Sequence, residues 1–109
     1  MADFNIKTGD LLPEIAATLK NADGTVISLL NASRVQFHMR LRGTTVLLVD
    51  GDCSIDDAAG GQVSYEWQEG DFSAAGEYEG EFEITYTSGK VLTVPNNKHL
   101  SIVITGELG

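Results

Sequence analysis

Apolar and polar residues alternate one by one through four segments of this chain, and this alternation limits the fold more than any other feature. A period of two sends successive side chains to opposite faces of a β-strand, so each segment predicts a strand with one buried and one exposed face. No segment sustains a helical period. The apolar stripes, which we expect to point inward, are Val35, Phe37, Met39 and Leu41; Val63, Tyr65 and Trp67; Tyr78, Phe82, Ile84 and Tyr86; and Leu100, Ile102 and Ile104.

Turn-forming residues separate these segments at strand-length intervals. Asn21–Gly24 and Ser88–Gly89 predict tight hairpins, because glycine tolerates the positive φ that such turns require. Asp50–Gly51 and Gly60–Gly61 predict two further reversals, and Pro95 is expected to close a strand. We predict about eight or nine strands, some formed by merging, within residues 3–8, 14–20, 25–30, 34–42, 44–50, 53–57, 62–69, 77–87, 90–94 and 99–106.

Many short strands separated by turns indicate an all-β two-sheet sandwich or a barrel. The 109 residues are the size of a single domain, which we assign to residues 1–109. Such a chain buries roughly two thirds of its unfolded surface, so its core needs no disulfide or metal. The expected core anchors, each contributing roughly 1.5–3 kcal/mol on burial, are Phe37, Trp67, Tyr78 and Phe82.

The segment Asp71–Tyr78 resembles the corner that precedes a strand in immunoglobulin-like domains. In that corner a tyrosine hydroxyl bonds back to the upstream backbone, and Tyr78 is the candidate here. The cysteine that usually follows two residues later is replaced by Gly80, which excludes the disulfide-linked version.

Composition argues against several functional classes. The net charge is −9 with only seven lysines and arginines, which argues against nucleic-acid binding. No apolar run approaches the ~20 residues of a membrane-spanning helix, and the first residues do not resemble a signal peptide. Cys53 is the sole cysteine, which fits synthesis in a reducing cytoplasm and a buried, inert thiol.

The residues able to carry chemistry do not form a recognisable catalytic or metal site. Asp50–Asp57 resembles a calcium loop, but Ile55 occupies the glycine position and no closing glutamate follows, so we expect a solvated turn. His38 and His99 lack the spacing of a zinc site, and His38 is expected to be exposed on a strand face. We therefore predict no catalytic residue, no metal and no cofactor, leaving a small hydrolase as a remote alternative.

Charge is distributed unevenly along the chain. Residues 66–83 carry seven acids and no base, whereas residues 34–42 carry three arginines and no acid. If these strands are neighbours, the charges pair across them; if they lie on different sheets, complementary faces could join subunits head to tail. Both alternatives stay open. The candidate interface residues are Arg34, Arg40, Arg42, Glu77, Glu79, Glu81 and Glu83.

Along its whole length the chain resembles the N-terminal domain family of phage baseplate upper proteins. The resemblance lies in the order and spacing of several short pieces. They are Phe4–Asp10 with Pro13, Leu19, Asp23–Gly24 and Ser28–Leu29, Val35–Arg40, Gly61–Trp67, Gly70–Asp71, Gly76–Tyr78, Phe82–Ile84 and Leu92–Asn96.

The resemblance implies an immunoglobulin-like antiparallel β-sandwich that anchors a receptor-binding protein or fibre to the phage tail tip, with no catalytic residues. Family members usually continue into further domains, whereas this chain stops at Leu108–Gly109. We therefore expect a stand-alone virion protein, whose place in the particle (baseplate, tail tube, neck or capsid) stays open. We predict that it is made in the host cytoplasm, docks with other virion proteins and forms a homo-oligomer, without nucleic acid or membrane. The alternative is a carbohydrate-binding or host-adhesion sandwich, which exposed aromatic residues would favour.

Overall fold

The computed structural model describes residues 4–8, 10–12, 14–72, 74–95 and 100–106, and this part of the chain contains strands and turns but no helix. Accordingly, the described residues include no helix long and apolar enough to cross a bilayer. The strands are β1 (Phe4–Lys7), β2 (Ile15–Thr18), β3 (Ala32–Leu41), β4 (Leu47–Asp52), β5 (Ser54–Asp57), β6 (Gln62–Tyr65), β7 (Gly76–Tyr86), β8 (Val91–Val94) and β9 (Leu100–Thr105).

Six strands form the larger sheet. Five follow the order β1-β9-β7-β3-β4, and β8 pairs with the C-terminal part of β7, beyond the residues that pair with β9. The two longest strands, β3 and β7, lie side by side at its centre in a register that sets Phe37 opposite Phe82. β1 pairs with β9 in parallel, whereas the other pairs are antiparallel. The predicted antiparallel sandwich therefore has one parallel pair, for which nearly the whole domain forms the long connection that parallel strands require.

Three strands form the smaller sheet, in the order β2-β6-β5. β4 and β5 are separated only by Cys53, so one extended segment serves as an edge of both sheets. The Cys53 amide donates to the Val35 carbonyl at 2.8 Å, which holds the junction between β4 and β5 against β3. The two sheets pack as a sandwich, consistent with the immunoglobulin-like prediction.

The core lies between the two sheets, and the predicted apolar stripes supply many of its side chains. Phe37, Trp67, Tyr78 and Phe82 are each at most 3% exposed. Leu41 was expected inward but is 40% exposed, because it is the last residue of β3, at the end of the sandwich. Ser64 departs in the other direction: it is only 6% exposed on the central strand of the smaller sheet.

Three turn predictions are confirmed, one of which is the reversal at Gly60–Gly61 between the antiparallel strands β5 and β6. The other two lie at Asn21–Gly24 and Ser88–Gly89. Asn21–Gly24 reverses the chain, with Gly24 at a φ of 89°, and the Asn21 amide donates to the Thr25 carbonyl at 2.8 Å. Ser88–Gly89 joins β7 to β8, with Gly89 at a φ of 88°. Both positions therefore use the positive φ that glycine adopts without strain.

Two other local predictions are wrong. Residues 25–30 form no strand; they contribute one isolated bridge, between Lys20 and Val26, and then cross over to bond Ala58 through the Leu29 amide. Asp50–Gly51 lies inside β4, and the chain reverses earlier, between Leu41 and Leu47. Gly51 serves packing instead: a Cβ there would lie 2.6 Å from Cε1 of Tyr65.

Candidate protein interaction surface

The outer face of the larger sheet carries the charged residues that the sequence singled out. β3 and β7 run antiparallel, so residues alternating with the buried stripe face outward together on both strands. Four members of this set are directly opposed: His38 faces Glu81, and Arg40 faces Glu79. The outward-facing charged residues of β3 and β7, together with Arg42 directly after β3, form a set that we call the charged ladder. Its members are Arg34, His38, Arg40, Arg42, Glu77, Glu79, Glu81 and Glu83.

Ion pairs connect the two central strands of the charged ladder. Arg40 Nε lies 3.2 Å from Glu79 Oε1, and Arg42 Nη1 lies 3.3 Å from Glu77 Oε2. The first pair is about two-thirds covered, whereas the side chains of Arg42 and Glu77 are 65% and 64% exposed. The strands are therefore neighbours, and the alternative that placed the two charge groups on different sheets is wrong.

Asp50 and Asp52 on β4 extend this pattern to the sheet edge. Arg34 Nη2 lies 3.2 Å from Asp52 Oδ1, and Gln36 Nε2 donates to Asp50 Oδ1 at 3.3 Å. The predicted solvated turn at residues 50–57 is therefore wrong for these aspartates, which lie in a strand and contact polar side chains of β3. Among the described residues, no group of three His, Cys, Asp or Glu side chains is placed to hold a metal ion.

His38 lies between two carboxylates. Its Nε2 is 3.0 Å from Asp50 Oδ1, and its Nδ1 is 3.9 Å from Glu81 Oε1. The side chain is only 12% exposed, so the expectation of an exposed histidine is wrong: it lies on the outer face, but its neighbours cover it. The other histidine, His99, lies outside the described residues.

Cys53 is half-buried where the chain passes from one sheet to the other. Burial, with further contributions from the charges of Asp52 and Asp56, raises the pKa of its thiol to about 12. The thiol therefore stays protonated at neutral pH, and a protonated thiol is a poor nucleophile.

Two tyrosine hydroxyls fix loops next to the core. Tyr78 donates to the Ala74 carbonyl at 2.7 Å, which is the predicted tyrosine corner. Tyr65 donates to Asp71 Oδ2 at 2.7 Å, and the same oxygen accepts from the Gln68 amide at 2.8 Å. Burial first, and then this hydrogen bond, raise the pKa of Tyr65. Asp71, one of the seven clustered acids, thus orders a loop.

Two hollows lie on the outer face or beside the edge segment. One open groove of about 330 Å³ runs beside the edge segment, and its lining includes Ser54, Ser64, Glu66 and Gln68 but no histidine, lysine or cysteine. A crevice of about 40 Å³ on the outer face lies among His38, Arg40, Leu47, Glu79 and Glu81. Nucleophilic catalysis needs a nucleophile beside a positioned base, and the lining of the crevice includes His38 but no serine, threonine, cysteine or lysine.

Every aromatic residue of the chain is described, and none is exposed. Trp67 packs against Phe4 and Phe72, with ring centroids 5.9 and 5.2 Å apart. A sugar-binding face would present such rings to solvent for stacking. The structure therefore lacks the feature that would favour the carbohydrate-binding alternative.

Sequence reasoning missed one exposed surface at the β3–β4 hairpin. We call Leu41, Val46, Leu47 and Leu48 the apolar hairpin; they are 40%, 68%, 46% and 48% exposed. The available signal was the unbroken run Val46–Val49, which has no polar residue to occupy an outward face. A register shift opposite Met39 and Arg40 interrupts the pairing beside Leu48, so the run does not turn fully inward.

Comparison with known protein families gives a match over nearly the whole chain. The sequence profile of the BppU N-terminal domain matches residues 2–102. No curated protein matches the chain. The profile match spans both sheets and every element of the charged ladder, and it confirms the family resemblance found in the sequence.

Proposed function

Because the chain belongs to the BppU N-terminal domain family, we propose that it is a docking module that joins other virion subunits through the outer face of its larger sheet. Membership implies a phage baseplate structural protein, and hence a component of the virion. The docking role, the surface used, self-association within the particle and synthesis in the host cytoplasm are parts of the proposal.

The charged ladder is the observation that carries this proposal. It covers the centre of the six-stranded sheet, and at one end Arg42 and Glu77 keep nearly two thirds of their side-chain surface exposed despite their ion pair. Exposed pairs of this kind add little to stability, because water screens them. They can still select a partner, since charges at a protein interface set orientation and reject mismatched surfaces.

The acid excess narrows the chemistry of the partner. The chain has 16 acids against seven lysines and arginines. A neighbouring subunit with a basic surface would be attracted, and an acidic one repelled. Contacts between copies of this chain would have to set the arginines of one ladder against the glutamates of the next, as in a closed ring.

A charge swap at the exposed end of the ladder tests the surface. Arg42→Glu and Glu77→Arg in one chain preserve the intrachain pair but invert the pattern that a neighbour meets. We expect wild-type folding, judged by the thermal midpoint, but reduced incorporation into phage particles and reduced self-association by light scattering. Swapping Lys20 to Glu, away from the ladder, is the matched surface control.

The outcomes separate two levels of the proposal. Normal incorporation of the swapped chain would show that the ladder serves only intrachain pairing. Absence of the wild-type chain from purified particles would overturn the docking role itself.

A further inference from the structure

The edge segment formed by β4 offers backbone groups for pairing. One side of β4 is hydrogen-bonded to β3, and no described strand lies on its other side. An unpaired edge presents amide and carbonyl groups to which an extended segment of another protein can add. Past Cys53 the same segment continues as β5, at the edge of the second sheet.

The apolar hairpin lies at the start of this edge. Leu47 and Leu48, the first two residues of β4, are each nearly half exposed, and Val46 before them is 68% exposed. Natural sheets usually protect a free edge with charges, prolines or bulges. The register shift at Leu48 makes regular pairing at this edge less favourable. The two consecutive exposed leucines have the opposite effect, because they favour association with apolar groups. Protection of the free edge therefore does not account for these leucines.

The rest of the edge segment is acidic. Asp50 and Asp52 are 57% and 72% exposed while they contact His38 and Arg34, and Asp56 and Asp57 follow on β5. No lysine or arginine occurs between Arg42 and Lys90. The edge therefore changes along its length from apolar to negatively charged.

This gradient decides among the possible occupants. Two copies pairing edge to edge would offer each other no lysine or arginine along this segment to neutralise the aspartates, and each chain carries a charge of −9, which is unfavourable. A segment with lysines or arginines would neutralise the aspartates, and apolar residues at its other end would cover Leu47 and Leu48.

We propose that the β4 edge binds an extended segment of a different virion protein, which adds as a strand and places apolar residues on the apolar hairpin and basic residues beside Asp50–Asp57. This inference rests on the proposed docking function and names its contact. It adjoins the charged ladder, because Leu47 lies opposite Arg40 and Asp50 contacts His38. It differs in using the backbone of the β4 edge, whereas the ladder lies on the face of the sheet.

Incorporation into phage particles tests the edge. We expect Leu47→Lys and Leu48→Lys each to reduce the amount of chain per purified particle about tenfold, as removal of a central apolar contact does at other interfaces. The matched controls Leu30→Lys and Val91→Lys alter apolar residues that are 69% and 56% exposed but lie away from this edge. The controls should leave incorporation unchanged, and thermal unfolding verifies that all four variants fold.

Charge reversal tests the kind of partner. Asp56→Lys, at an exposed edge position, should lower incorporation if the added segment is basic. Glu14→Lys, at an exposed position outside the edge, is the control. An increase with Asp56→Lys would overturn the basic occupant.

Amide hydrogen exchange gives a reading independent of the variants. Amides of residues 47–52 that face away from β3 should be protected in the particle but not in the free chain. Unchanged exchange, or equal incorporation of all variants, would overturn the edge inference while leaving the docking function standing. Absence of the wild-type chain from particles would overturn the docking function. A dimer of the free chain that Leu47→Lys dissociates would overturn the choice of a different protein as occupant.

Discussion

The inner and outer faces of the β3–β7 pair come from the same two strands, but the interactions that join the strands differ between the two faces. On the inner face Phe37 and Phe82 are at most 1% exposed, with ring centroids 5.3 Å apart. On the outer face, arginine–glutamate pairs stand in or near solvent. Burial of large apolar groups is worth several times a solvent-screened ion pair. The inner face therefore supplies more of the stability of this strand pair than the outer face does.

Truncation of Phe37 is the strongest test of this contrast. Its ring contacts Tyr65, Trp67 and Phe82, with centroids 5.2, 5.8 and 5.3 Å away. Phe37→Ala should lower the free energy of unfolding by about 3–5 kcal/mol, through lost burial and the cavity left behind. Urea denaturation measures this, with Phe37→Leu expected to lose less. A loss below that of an exposed ion pair would remove the distinction between the faces.

Enlarging Gly80 tests how tightly the same face is packed. A Cβ there would lie 2.8 Å from Ile102 Cδ1 and 3.0 Å from Phe37 Cε1, and both neighbours are fully buried. Gly80→Ala should therefore cost about 1–3 kcal/mol through overpacking. Gly106→Ala, where a Cβ would meet no atom within 4 Å, is the control. Equal denaturation midpoints for the two variants would mean that the core rearranges to accept the added methyl group.

Removal of the Tyr78 hydroxyl isolates one polar contact at the margin of the inner face. Tyr78→Phe keeps the ring but leaves the Ala74 carbonyl without this donor, so we expect a loss of about 1 kcal/mol. Tyr86→Phe, on the same strand and half-buried, serves for comparison. If both substitutions shift the denaturation midpoint equally, the corner hydrogen bond is not the cause.

The smallest effect is expected on the outer face. In a double-mutant cycle, Arg42→Ala and Glu77→Ala should couple by less than about 1 kcal/mol, because both side chains are mostly exposed. The coupling should fall further in 0.5 M salt, as screening predicts. A coupling that exceeds the cost of Gly80→Ala would reverse the ranking of the two faces.

The sequence predicted the features that depend on local periodicity. Alternation identified the strands and buried stripes, and the Asp71–Tyr78 pattern identified the corner. It failed where pairing is decided at a distance: residues 25–30 have a strand-like composition but bond only sparsely, and the parallel partner of β1 lies nearly a hundred residues away. Such pairing depends on tertiary packing, which local propensity does not encode.

The candidate interaction surface was predicted less completely. The charged residues were identified, but their neighbours were not, so pairing within the chain and pairing between chains remained equal alternatives. The unbroken run Val46–Val49 was a signal for the apolar hairpin, but it did not establish exposure, because an apolar run of this length is equally typical of a buried strand. The register shift at Leu48 alters which way Leu47 and Leu48 face, and the composition of the run does not reveal that shift.

The parallel pairing of β1 with β9 has a mechanical consequence. Phe4 lies opposite Ile102 and Lys7 opposite Thr105, so the chain enters this pair at one end and leaves it at the other. Tension between residues 4 and 105 would act along the strands and load their hydrogen bonds together in shear, instead of opening them one after another. In a phage baseplate structural protein, such a pair would act as a clasp against pulling. Single-molecule stretching between these positions would show a high rupture force if the clasp holds, and a low one if it does not.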